Sequence, residues 1–157
     1  MKKNSGPFPS PGFPKQIAGI NLPPLILVGS GEVTANVVGS PMGAHIVGGI
    51  VKDVWLAVGT DGEAEHGQSL QLSGEVFING TSCLSTLPVL YSDHSGEAAS
   101  QNSTESSGTG VQQAVIDPDN RTFQPGDLFT ADLRVTRTSP DAEIINSVIV
   151  VEVEPFK

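Results

Sequence analysis

The sequence predicts an all-β fold, a β-sandwich or jelly roll with an extended Pro/Gly-rich N-terminal arm. Two observations support this prediction. The 157 residues include 18 Gly and 12 Pro, and only 16% of them are charged. Short β-branched runs alternate with turn residues at intervals of roughly 10 residues, and no segment shows a helical period. The length suits one domain plus an arm.

Residues 1–24 form the expected arm. Residues 4–14 read NSGPFPSPGFP, and proline lacks the N–H that a helix or a β-ladder requires. The first 31 residues contain three lysines and no acid, whereas the rest holds five basic residues against all 17 acidic ones, a net charge of −12. We expect the arm to bind a partner through its basic and apolar side chains: Lys2, Lys3, Phe8, Phe13, Lys15, Ile17 and Ile20.

The β domain is expected over residues 25–157. Its predicted strands are 25–28, 32–38, 44–47, 50–58, 69–78, 82–90, 111–116, 128–137 and 144–153. Glycine-rich turns are expected at 29–31 and 39–43, and Asn79-Gly80 is typical of a tight hairpin, because Asn and Gly tolerate positive φ. Turns are also expected at 117–120 and 125–127. The polar segment 91–110 is expected to be a surface loop or a projecting tip.

Alternation within three strands predicts the core, because successive side chains of a strand point to opposite faces. In 50–58 the odd residues Asp53, Trp55 and Ala57 oppose Val54, Leu56 and Val58. The predicted inward residues of the last two strands are Phe129, Ala131, Leu133, Val135, Ile145, Ile149, Val151 and Val153.

The bulk charge and the apolar runs restrict the partners. A net charge of −9 disfavours nucleic-acid binding, because the chain would repel phosphate. No apolar run approaches the ~20 residues that span a bilayer, and residues 7–14 place prolines where a signal peptide has its apolar region. We therefore expect no membrane partner and synthesis in the cytoplasm of a cell. Cys83 lies in an apolar stretch and is expected to be buried.

The sequence shows no catalytic pattern, so we predict that the protein is not an enzyme and has no cofactor. The three histidines lie on separate segments. The acidic loop has one combination with metal-ligand chemistry (Asp61, Glu63, Glu65 and His66), but adjacent side chains on a loop diverge and a solvated loop is favoured. Asp117 and Asp119 flank Pro118 in a sequence that favours an Asx turn over a calcium loop.

Arg134 and Arg137 share the strand predicted at 128–137. One interpretation is cross-strand pairing with Glu152 or Glu154 on the closing strand. The other is contact with a partner subunit, where arginine is enriched.

Three segments carry a family resemblance: 74–88 (GEVFINGTSCLSTLP), 109–115 (TGVQQAV), and 125–128 (PGDL) leading to 136–138 (TRT). In this order they resemble small β-rich virion proteins of tailed bacteriophages, the capsid decoration or cement proteins. The resemblance implies a sandwich or jelly roll, often a homotrimer, that sits on the capsid surface of the virion. Its partners would be the major capsid protein and further copies of itself, and its extended termini would link subunits. It defines no individual site residues.

Two other functions remain open. The same β body suits another phage structural component, such as a head fibre, neck or tail protein. The acidic loops also allow a carbohydrate-binding or hydrolytic domain, although one Trp and one Tyr provide little surface for sugar stacking.

Overall fold

The computed structural model describes residues 21–32, 35–60, 69–93, 102–137 and 145–156. These residues form an all-β sandwich without a helix. The twelve strands are β1 (Leu25–Glu32), β2 (Val37–Gly43), β3 (Gly49–Thr60), β4 (Ser69–Ile78), β5 (Thr81–Ser82), β6 (Leu84–Thr86), β7 (Val89–Asp93), β8 (Val111–Gln112), β9 (Val115–Ile116), β10 (Thr122–Phe123), β11 (Phe129–Arg137) and β12 (Ile145–Pro155).

Two antiparallel sheets make up the sandwich. The first sheet has the strand order β1-β12-β3-β10, and the second has the order β2-β11-β4-β7-β8, with β5 paired to β4. A small sheet joins β6 to β9. The two large sheets face each other closely, since a Cβ on Gly74 of β4 would lie 3.1 Å from the Cδ1 atom of Ile149 on β12.

The core fills the space between the two sheets, as the alternation predicted. Val54, Leu56 and Val58 of β3 are buried, and so are Phe129, Ala131 and Leu133 of β11. From β12, Ile149 and Val151 are fully buried, and Val153 packs against the same cluster. The Ile145 side chain lies outside the described residues. Burial of these side chains is the main stabilising term of such a sandwich.

Several predictions of turns and strands were wrong in their bounds. Residues 29–31 and 39–43 belong to β1 and β2, not to turns. The predicted strand at 44–47 is irregular backbone, and the predicted strand at 82–90 is divided into β5, β6 and β7. These three strands lie in two different sheets, so the chain crosses from the second sheet to the small sheet and back. The Asn79-Gly80 turn was correct, with φ values of 50° and 84°.

The segment 91–110 was predicted to be a surface loop or a projecting tip; its described residues 105–109 are exposed, and two of its parts pair with the sheets. Tyr91 to Asp93 complete β7, and Ser103 forms a bridge with Ala57 of β3. Thr104 is buried because its hydroxyl oxygen accepts a hydrogen bond from the Leu56 N–H (2.9 Å). A buried backbone donor requires a partner, and this threonine satisfies it at the edge of β3.

Candidate assembly surfaces

The predicted arm residues lie outside the described part of the chain. These are Lys2, Lys3, Phe8, Phe13, Lys15, Ile17 and Ile20. The described chain begins at Asn21, four residues before β1. Residues 1–20 are therefore joined to the sandwich at the start of β1, the edge strand of the first sheet.

Arg134 lies on the outward side of β11, where it contacts two acids. Its Nη2 atom is 3.1 Å from Oδ2 of Asp132 and 3.3 Å from Oε2 of Glu75. For Arg134, the interpretation as cross-strand pairing with Glu152 or Glu154 was wrong, because β11 and β12 belong to different sheets. The arginine side chain is 51% exposed, and such surface pairs contribute little to stability.

Arg137 ends β11, where it stands opposite Leu70 of β4. Its side chain lies outside the described residues. The structure therefore brings Arg134 to an acidic pair on its own sheet and does not join the two arginines in one described cluster. The contact of either arginine with a partner subunit stays a prediction.

Asp132 connects this ion pair to the edge strand β2. The carboxylate is buried, and its Oδ1 atom accepts a hydrogen bond of 2.7 Å from the N–H of Gly39. Gly39 has a φ of +65°, a conformation that favours glycine. No local pattern in the sequence indicated this contact, because 93 residues separate its partners.

Two cross-strand rows on the outer face of the first sheet are apolar, beside a row that pairs Glu152 with Asp53. One cross-strand row joins Ile26, Val150 and Trp55, and the next joins Val28, Val148 and Ala57. Val150 is only 5% exposed, and the indole Nε1 of Trp55 is buried without a hydrogen-bond partner. The β12 and β3 part of this face is therefore covered within the chain. The exposed part is β1, where Ile26 is 51% and Val28 is 63% exposed.

The open side of the sandwich is formed by β1 and β2. Each strand pairs on one side only within the described residues. The two edges lie close together, since a Cβ on Gly43 of β2 would be 3.7 Å from Cδ2 of Leu25. Val38 of β2 is 72% exposed. Apolar side chains grouped at an open sheet edge are typical of an interaction surface.

The two strands of this side come from an almost uncharged segment of the sequence, which our predictions did not use. Between Lys15 and Lys52 the only Asp, Glu, Lys or Arg is Glu32. This segment supplies both β1 and β2. In a chain with a net charge of −9, a long uncharged stretch that forms both edge strands indicates a surface that another molecule can approach without electrostatic repulsion.

Two titratable side chains, those of Cys83 and His45, are buried. Cys83 is fully buried, as predicted, and burial raises the pKa of its thiol to about 12. The ring of His45 packs against the rings of Phe123 and Phe129, with centroid distances of 5.6 and 6.2 Å. Burial lowers the pKa of His45, and its Nε2 atom has no hydrogen-bond partner.

The turn at 117–120 has the predicted Asx geometry. Asp117 accepts hydrogen bonds from the N–H of Asp119 (3.0 Å) and from the side-chain amide of Asn120 (2.8 Å). These bonds favour the charged carboxylate and lower the pKa of Asp117. The Asp117 carboxylate therefore accepts these hydrogen bonds within its own turn.

The described residues contain no group of three or more His, Cys, Asp or Glu that could hold a metal. The acidic loop around Glu63, Glu65 and His66 lies outside them. In the same described ranges, no helix is long and apolar enough to cross a membrane. Comparison with known proteins found no matching family model, no matching curated protein and no matching solved structure.

Proposed function

We propose that this chain is a structural virion protein that decorates and stabilises the capsid shell of a tailed bacteriophage. It would bind the lattice of the major capsid protein as a homo-oligomer, with residues 1–24 as the binding arm. The resemblance of segments 74–88, 109–115, and 125–128 with 136–138 to decoration proteins suggests this function. The observation that carries the proposal is the charge separation between the basic arm and the acidic β body.

The chemistry of the arm suits attachment to a large acidic surface. Lys2, Lys3 and Lys15 would provide attraction that needs no shaped pocket. Phe8 and Phe13 would supply apolar anchors. Prolines already restrict the backbone, so docking costs less conformational entropy than it would for a flexible segment. The sandwich would hold the arm at a fixed point beside β1.

The carbohydrate-binding alternative receives less support from the described surface. Sugar binding by stacking requires an exposed aromatic face. Trp55 is half-buried with its indole N–H covered. The exposed aromatic side chains among the described residues are Tyr91 on β7 and Phe156 after β12, and these two strands belong to different sheets. A glycan-array screen of the intact protein tests this alternative directly.

Deletion of residues 2–16 tests the proposed function. We expect the truncated protein to remain folded, by circular dichroism, and to bind undecorated capsids at least about tenfold more weakly at low salt, because it loses three charge contacts. Wild-type binding should weaken as salt rises, and binding of the truncated protein should change less. Unchanged occupancy of the shell by the truncated protein would contradict the proposal.

Two substitution sets separate the contributions to arm binding. Lys2, Lys3 and Lys15 changed together to Gln should remove most of the salt dependence, whereas Phe8→Ser with Phe13→Ser should weaken binding equally at all salt concentrations. Lys52→Gln is the matched control, because Lys52 is an exposed lysine on β3 of the body. This control should bind the shell like the wild type.

A further inference from the structure

The hydrogen bonds of β3 show which backbone groups of β12 and β1 face each other. Leu56 accepts a hydrogen bond at its carbonyl from the N–H of Thr104 (2.8 Å), and its own N–H donates to the Thr104 hydroxyl. The backbone groups of Leu56 therefore point away from β12. In an antiparallel ladder, paired residues alternate between bonded and non-bonded positions. Ile149, the β12 partner of Leu56, consequently directs its backbone groups toward β1.

The same alternation fixes the direction of the β1 backbone. Leu27 is the β1 partner of Ile149, so the N–H and C=O of Leu27 face β12. Those of its neighbours Ile26 and Val28 face outward. No strand within the described residues pairs with this edge. Ile26 and Val28 thus present both free backbone groups and exposed apolar side chains.

The other edge strand, β2, carries features that prevent strand addition. It contains Pro41, and Gly39 and Gly43 adopt positive φ. Its register with β11 shifts at two points. Proline and bulges are the means by which natural sheets protect their edges. The first half of β1 has none of these features, since its irregularity begins after Gly29.

We infer that the free edge of β1 pairs with β1 of a second copy of this chain, so that the two first sheets become one continuous sheet. The uncharged segment around β1 favours a second copy, because two bodies of net charge −12 can approach there without placing acids opposite each other. The arm is a poor occupant of this edge, since its prolines lack the N–H groups that a ladder needs. This inference does not depend on binding to a capsid.

Antiparallel pairing about a two-fold axis favours the register centred on Leu27 over the one centred on Ile26. With the axis at Leu27, Ile26 lies opposite Val28 of the second copy, and their outward backbone groups form four hydrogen bonds. A register centred on Ile26 would place Val28 opposite Pro24, which has no N–H to donate. Pro24 therefore ends the ladder and restricts the shift between the two strands.

This pairing also decides where the arms begin. In an antiparallel pair, the start of β1 in one copy lies beside the end of β1 in the other. The twenty residues before Asn21, with three lysines and no acid, would then start next to the acidic body of the second copy. Opposite charge at this position supports association.

Val28→Lys tests the interface, and Val38→Lys is its matched control. Both replace an exposed valine on an edge strand and add the same charge, but only the first lies on the proposed edge. We expect the wild type to be a dimer in sedimentation at micromolar concentration. Val28→Lys should weaken dimerisation by about tenfold or more, because lysine on an edge strand opposes strand addition. Val38→Lys should dimerise like the wild type.

A spin label provides a measurement that does not need a disrupted interface. In the proposed register, Val28→Cys places the labelled positions of two copies on a diagonal, with Cβ atoms roughly 7–8 Å apart. Strong dipolar broadening is expected for that label and none for a label at Val38→Cys. Cys83 is buried and should stay unlabelled.

Three results would overturn the inference. The first is a wild-type monomer at all concentrations tested. The second is equal weakening by Val28→Lys and Val38→Lys, with both variants folded by circular dichroism. The third is an oligomer, including the trimer suggested by the family resemblance, in which the Val28→Cys labels show no short distance.

Discussion

The two edge strands of the open side differ in how their edges are controlled. Both β1 and β2 come from the segment between Lys15 and Lys52, in which Glu32 is the only charged residue. β2 pairs with β11 of the second sheet. It contains a proline, two glycines of positive φ and two register shifts. β1 is regular from Leu25 to Gly29. Protection at one edge and regularity at its neighbour indicate that the regular edge is the one available for pairing.

Side chains of the second sheet and its flanking turn hold β2 in place. Asp132 accepts the N–H of Gly39, and Asn36 just before β2 accepts the N–H of Val135 through its Oδ1 atom (2.9 Å). Beyond its end, the carbonyl of His45 accepts the N–H of Gly126 (2.9 Å). Both edge strands also have a ladder, β2 with β11 and β1 with β12, and both place apolar side chains against the core. The polar contacts are therefore an additional support at the protected edge.

One of the two largest expected effects comes from removing the anchor of β2. Asp132→Ala leaves the N–H of Gly39 without its acceptor and removes one partner of Arg134. We expect the free energy of unfolding to fall by about 1–3 kcal/mol, since a part-buried donor loses its hydrogen bond. Urea denaturation measures this change.

Two variants separate the roles of the Asp132 carboxylate. Asp132→Asn keeps an oxygen acceptor for Gly39 and should cost less than the alanine change. Arg134→Ala should cost less than about 1 kcal/mol, because the ion pair is half exposed. If Arg134→Ala proved as costly as Asp132→Ala, the ion pair rather than the Gly39 hydrogen bond would hold β2.

A second prediction concerns β1 and its contact with β12. A Cβ added at Gly29 would lie 2.5 Å from the Oγ atom of Ser147, which is buried without a hydrogen-bond partner. Gly29→Ala should therefore lower the free energy of unfolding by about 1–3 kcal/mol through overpacking. The measurement is thermal or urea unfolding of the purified variants.

The double variant tests the cause of that loss. Ser147→Ala removes the hydroxyl that the new methyl group would meet and should itself be near neutral, since the hydroxyl gains no hydrogen bond in the fold. Gly29→Ala with Ser147→Ala should recover much of the lost stability. Additive losses in the double variant would show that the serine hydroxyl is not the source of the strain.

Local patterns in the sequence predicted the interior, and the errors involve contacts between distant segments. Alternation places Phe129, Ala131 and Leu133 inward because the two-residue period of a strand is a local property. The predicted partner of Arg134 was wrong because β11 pairs with β2 and β4, which are far away along the chain. These pairings decide to which sheet β11 belongs. No spacing in the sequence encodes that choice.

The glycine-rich segments gave a different error. The residues 29–31 and 39–43 look like turns by composition, yet they lie in edge strands, where glycine accommodates bulges and close neighbours. Composition alone cannot distinguish a turn from a bulged edge. The uncharged stretch around β1 was visible in the sequence, but its meaning required the structure to show that it forms both edges of the open side.

The smallest expected effect is a pH dependence of the free energy of unfolding, which arises from His45 just after β2. Burial holds the pKa of His45 below its ordinary value of 6.5, so the unfolded chain takes up a proton more readily than the folded one. The contribution to stability is therefore complete above pH 6.5 and decreases as the pH falls from there toward the folded pKa. The free energy of unfolding should decline over this range, above the range where ordinary carboxylates titrate.

His45→Phe should flatten this part of the profile. The replacement keeps a ring against Phe123 and Phe129 and removes the titrating nitrogen. Urea unfolding at a series of pH values compares the two proteins, and hydrogen exchange locates the effect. Protonation of His45 should speed exchange in β2 and at Gly126, whose N–H bonds the His45 carbonyl, more than at Leu25 and Leu27 of β1. The free energy of unfolding could instead change equally with pH in the two proteins, or exchange could become faster first in β1. Either result would show that the acid sensitivity does not arise from His45 and that this residue does not support the protected edge.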